Sequence, residues 1–77
     1  MIKDLKSLNL SEAFYFDLAK FQRSKQRYLK EPTITNSGLM KLDYDLVYTD
    51  AKQQWNAGVI SEATFWEIVE TLKEGLE

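Results

Sequence analysis

Two groups of residues have the types and spacing that chemistry needs. Asp43, Asp45 and Asp50 alternate with Tyr44 and Tyr48 in one short stretch, and Lys20, Arg23, Arg27 and Lys30 recur every three or four residues after Phe16. The acids are the hard oxygen ligands of calcium or magnesium sites or, when paired across a cleft, general acid and base. The cations neutralise phosphates or carboxylates, and an aromatic ring among them stacks on a base or enters a partner's pocket.

Spacing removes most of these options. On a helix Asp43 and Asp45 point about 160° apart, and no Gly-containing D-x-D-x-D-G loop surrounds them. No P-loop, G-x-G-x-x-G or nucleophile elbow is present, and a short helical chain has little room for a substrate-sized cleft. Histidine is absent, and with it the usual general base and the commonest metal ligand. Cysteine is absent as well, so thiolate metal sites, redox chemistry and disulfides are unavailable. The sequence therefore predicts no catalytic residue, metal, cofactor or small-molecule substrate, and a chain that is not an enzyme.

The elements that position these residues follow from local signals. Gly58 suits the left-handed position just past a helix end. Ser61 can cap the next helix, with Ile60 and Phe65 at staple spacing. Asn9-Leu10-Ser11-Glu12 fits a capping box with Asn9 as the cap, and Pro32 disfavours helical geometry in the residue before it. The expected elements are a short segment over 1–8, helices over about 10–30, 38–57 and 62–75, and a loop over Thr33–Gly38. The fold class is all-α, a compact three-helix domain with a tight Gly/Ser turn between the second and third helices.

Seventy-seven residues make one domain near the lower limit for an unaided core. With 44% hydrophobic and 29% charged residues the chain is expected to fold. No apolar run approaches the roughly 20 residues that span a bilayer. Met1–Lys6 lacks the apolar stretch of a signal peptide, so the chain is expected to be mature as it stands and cytoplasmic. The net charge of −2 hides an asymmetry: residues 1–30 carry +4, residues 31–60 carry −2, and residues 61–77 carry −4. A uniformly basic nucleic-acid binder is disfavoured, but one basic element remains.

Helical periodicity then assigns faces. The third helix has one apolar stripe, Phe65, Ile68, Val69, Leu72 and Leu76, opposite Glu67, Glu70 and Glu74, with Trp66 on its shoulder. The first has Leu10, Phe14, Leu18, Phe21, Tyr28 and Leu29. Lys25 falls inside that stripe, where it must snorkel, pair with a carboxylate, or mark a bend. The second helix has two apolar arcs, one of Met40, Tyr44, Val47, Tyr48, Ala51 and Trp55 and the other of Leu39, Leu42 and Leu46. Either it lies between the other two helices and packs on both, or its tyrosine-rich face binds a partner.

On a separate face of the first helix, Phe16 stands among Lys20, Arg23, Arg27 and Lys30, an unexpected place for a large apolar ring. This face either binds a partner or is solvated, with Phe16 packed on Leu5 and Leu8. Helix-turn-helix docking on DNA is disfavoured, because the third helix would turn Glu67, Glu70 and Glu74 toward phosphates.

The run Ala57–Trp66, with Phe65-Trp66 after Ile60-Ser61, resembles the end of the BSD domain of transcription and synapse-associated proteins. It is also similar to short C-terminal hairpins of many bacterial proteins. Either resemblance implies a non-enzymatic interaction module.

The expected function is that of a small protein-binding regulator, adaptor or inhibitor, of the size of a bacterial or phage accessory protein. Its candidate contacts are Phe16, Lys20, Arg23, Arg27, Lys30, Tyr44, Tyr48 and Trp66. The expected partner is an acidic protein surface or a second copy, since the basic first helix and acidic third helix are complementary. The alternative is a nucleic-acid-associated regulator using Lys20, Arg23, Arg27 and Lys30.

Overall fold

Ser11, not Asn9, caps the first helix. In the computed structural model, which describes residues 5–76, Asn9 adopts a left-handed φ of +54° and turns the chain out of a short 3-10 turn, Leu5–Leu8. The Ser11 hydroxyl then accepts from the Phe14 N–H at 3.2 Å. Asn tolerates the left-handed region better than most residues, so it serves the turn and leaves the cap to Ser11. Tyr15 ties the two pieces together, donating its hydroxyl proton to Leu5 O and accepting from Leu10 N–H. The expected segment over 1–8 is described only from Leu5 onward, and the start Met1–Asp4 lies outside the described residues.

Three helices follow: α1 (Glu12–Lys30), α2 (Ile34–Asn56) and α3 (Glu62–Lys73). Among the described residues there is no strand, and the chain is an all-α three-helix domain. α2 begins four residues before the expected Gly38. Thr33, placed by Pro32, caps it by accepting from Asn36 N–H at 3.1 Å, and the Asn36 side-chain amide donates to Glu31 O at 2.8 Å. The polar residues that suggest a loop are thus consumed as a cap, and Gly38 sits inside the first turns of the helix.

At the other end, Gly58 has φ +79°. Its N–H donates to Trp55 O at 3.0 Å and that of Val59 to Gln54 O at 2.9 Å, the paired bonds that satisfy the last carbonyls of a helix. Ser61 accepts from Thr64 N–H at 3.1 Å and starts α3.

α1 and α2 run antiparallel: Ser24 hydrogen-bonds Asp43, and Asp17, seven residues earlier, meets Asp50, seven residues later. α2, at 1.5 Å per residue, sets the 37 Å long dimension of the molecule. The core is Leu10, Phe14, Leu18 and Phe21 from α1 and its lead-in, Met40, Val47 and Ala51 from α2, and Phe65, Ile68, Val69 and Leu72 from α3, with Leu5 closing one end. Rings link the layers. Phe21, Tyr44, Tyr48 and Phe65 follow one another at 5.9, 6.0 and 5.3 Å, and Trp55 stacks on Phe65 at 5.1 Å.

Both neighbours of α2 therefore pack on its aromatic arc. The expectation that α2 uses both apolar arcs to pack on two helices is corrected, because Leu39, Leu42 and Leu46 are 43%, 64% and 45% exposed. One broad arc, with Phe21 on one flank and Phe65 on the other, suffices for two partners.

Lys25 resolves its place in the α1 stripe by reaching over Phe21 and donating to Leu72 O at 3.2 Å, near the C-terminus of α3. A cation there meets the negative end of the helix dipole. Burial pushes the Lys25 amine below its ordinary value, partly offset by Glu74.

Candidate partner-binding surface

Phe16 is 68% exposed and does not pack into the core with Leu5 and Leu8. The Lys20 ammonium lies 6.0 Å from its ring centroid, within reach of a cation–π attraction. Arg23, Arg27 and Lys30 continue along the same outer strip of α1 and are exposed. Among the described residues none of these three has an ion-pair or side-chain hydrogen-bond partner. Their charges face water, so the strip is electrostatically uncommitted.

The α1–α2 seam borders this strip. Lys20, Arg23, Ser24 and Arg27 of α1 and Leu39 and Asp43 of α2 line one groove of about 380 Å³. Its floor is the Ser24–Asp43 hydrogen bond. Arg27 and Leu39 line the groove together, and the exposed Leu42 and Leu46 continue from Leu39 along the same arc of α2. At the far end of the seam Asp17 and Asp50 meet, and the Asp50 carboxyl is raised to about 6 by burial, then by the hydrogen bond to Asp17 and its charge. Asp50 Oδ2 is buried with no amide or hydroxyl donor beside it. Two carboxyl groups this close disfavour a second negative charge, which holds the Asp50 proton to higher pH.

The remaining sequence candidates lie elsewhere. Tyr44 and Tyr48 are half-buried in the ring series on the core side of α2, and burial raises the Tyr44 phenol, with Tyr48 and Asp45 adding to the effect. Trp66, 46% exposed, sits edge-on to Phe65 at 5.0 Å on α3. The structure thus brings Phe16, Lys20, Arg23, Arg27 and Lys30 onto one strip and leaves the two tyrosines and Trp66 apart from it.

The leucine arc is visible in the sequence as a second apolar face that suggests packing, whereas Asp17 and Ser24 carry no sequence signal. The Asp17–Asp50 and Ser24–Asp43 pairs arise between helices and leave no local trace.

Among the described residues, no group of three or more acidic, histidine or cysteine side chains is arranged to hold a metal ion. None of the described helices is long and apolar enough to cross a membrane. No protein-family model matches the chain, and no curated protein or solved structure is detectably similar to it.

Proposed function

We propose that this chain is a small non-enzymatic protein–protein interaction module, a regulator, adaptor or inhibitor that captures an acidic protein surface through the Phe16-centred basic face of α1. The observation that carries the reading is a phenylalanine left 68% exposed beneath Lys20, in line with unpaired Arg23, Arg27 and Lys30. Burying such a ring contributes about 1.5–3 kcal/mol, and desolvated arginines beside an aromatic are typical of interface hot spots. A cytoplasmic accessory protein of a bacterium or phage fits this composition and charge pattern. The exposed leucines beside the cations favour a protein over a phosphate backbone, because a phosphate backbone would leave them unburied.

Affinity capture from the native host with wild-type chain and with Phe16→Ala and Arg23→Glu tests the reading. Both changes lie on exposed positions and leave the core intact. Loss of the captured partner in both variants is the expected result, and normal capture by both removes the face from consideration. Binding that survives in protein but transfers to nucleic acid, with affinity falling steeply as salt rises, would replace the partner class.

A further inference from the structure

We infer that the binding site is the two-banked groove between α1 and α2 and that its occupant is an acidic amphipathic helix of another protein. The inference rests on the protein-binding reading above and extends it to Leu39, Leu42 and Leu46, to the groove, and to the form of the ligand. Three observations carry it.

The leucines recur at one-turn intervals on an α2 face that no other helix covers, and they span about 10 Å at 1.5 Å per residue. Lys20, Arg23 and Arg27 recur at the same intervals on α1 and run the opposite way, since the two helices are antiparallel. The three cations and Leu39 line the groove, and Leu42 and Leu46 extend the apolar ridge along its α2 border, so an apolar and a cationic ridge run side by side over two helical turns. A ligand that satisfies both needs apolar residues at i, i+3 and i+7 with carboxylates on the adjoining ridge, which is the surface of an acidic amphipathic helix. An extended peptide is disfavoured because the described residues contain no sheet edge to receive it.

A second copy is the weaker occupant. In an antiparallel pairing of two α2 leucine stripes about a two-fold axis, like flanks meet and the cations of one copy face those of the other. The acidic helix α3 buries its own apolar stripe in the core and so offers carboxylates without the matching leucine-type ridge. Asp43 on the groove floor is occupied by the Ser24 hydroxyl, which holds the carboxylate at the bottom of the groove.

The test titrates the full isotope-labelled chain with a synthetic helical peptide carrying Leu at i, i+3 and i+7 and Glu on the adjoining ridge. Two controls accompany it: the same leucines with Lys in place of Glu, and the same glutamates with Ala in place of Leu. Saturable amide shifts confined to residues 16–27 and 39–46 are expected, with at least tenfold weaker binding for either control and for Leu42→Glu. Leu42 is 64% exposed, so this variant should keep its fold, as circular dichroism would verify.

Equal binding of the Ala control overturns the groove while leaving the basic-face reading standing. Equal binding of the Lys control, shifts on another face, or no shift at millimolar peptide overturns the inference. Sedimentation showing concentration-dependent self-association that Leu42→Glu abolishes also overturns it, by making a second copy the occupant.

Discussion

The Asp17–Asp50 contact predicts that this domain loses stability as pH rises from mildly acidic to neutral, the reverse of ordinary acid denaturation. In the folded chain Asp50 holds its proton up to about pH 6, whereas the unfolded group releases it near 3.8. The folded state therefore binds more protons across that window, so stability falls as pH rises through it and settles at a lower plateau above. Converting the whole difference at about 1.4 kcal/mol per pH unit gives roughly 3 kcal/mol. Water reaches part of the seam and screens the repulsion, which reduces the expected effect to about 1–2 kcal/mol.

Asp50→Asn isolates this contribution, because the amide keeps a donor to Asp17 and cannot ionise. At pH 7.5 the variant should melt roughly 5–15 °C above wild type, given about 4–8 °C per kcal/mol for a domain of this size. At pH 4 the gap should close. The readout is that gap, measured by thermal and urea denaturation across pH 4–8, because it cancels the other carboxylates. A gap of the same size at pH 4.5 and 7.5, or a variant no more stable than wild type at pH 7.5, refutes the reasoning.

Two glycines should respond with opposite signs: Gly58→Ala loses about 1 kcal/mol because its backbone is left-handed, whereas Gly38→Ala inside α2 gains about 1 kcal/mol, both read as melting temperature. Ser11→Ala should cost about 1 kcal/mol in chemical denaturation through loss of the α1 cap, and equal stability would return the cap to Asn9. Phe65→Ala removes the ring that Tyr48, Trp55 and Trp66 all touch and should cost about 3–5 kcal/mol, enough to blunt cooperative unfolding, whereas Leu42→Glu should change stability by less than about 0.5 kcal/mol.

What the sequence revealed tracks how local each signal is. The Gly58 stop, the Ser61 cap and the α3 stripe depend on neighbours within a turn or two, and each stands where its residues place it. The starts of α1 and α2 were misplaced because Asn9, Ser11, Thr33 and Ser37 all have capping chemistry, and only the path of the chain decides which is used. Phe16 was legible as an apolar ring on a charged face. Its exposure was not, since that depends on where the lead-in segment runs, and this segment instead closes onto Tyr15. The groove was illegible for a deeper reason: a bank on α1 and a bank on α2 become one surface only through the antiparallel register that Ser24 and Asp43 mark.

The exposed leucines are harder to attribute to chance in a short chain than in a long one. A domain of 77 residues buries a smaller share of its surface than a larger one, so each large apolar side chain matters more to its core. Leu39, Leu42 and Leu46 are withheld from that core, on a helix whose opposite face already supplies Met40, Val47 and Ala51. Polar residues at these exposed positions would leave the fold unchanged and would lower the tendency to associate. On the proposed reading, burial against a partner offsets the cost of exposing the leucines. On that reading the cations opposite them select a surface bearing carboxylates beside its apolar ridge.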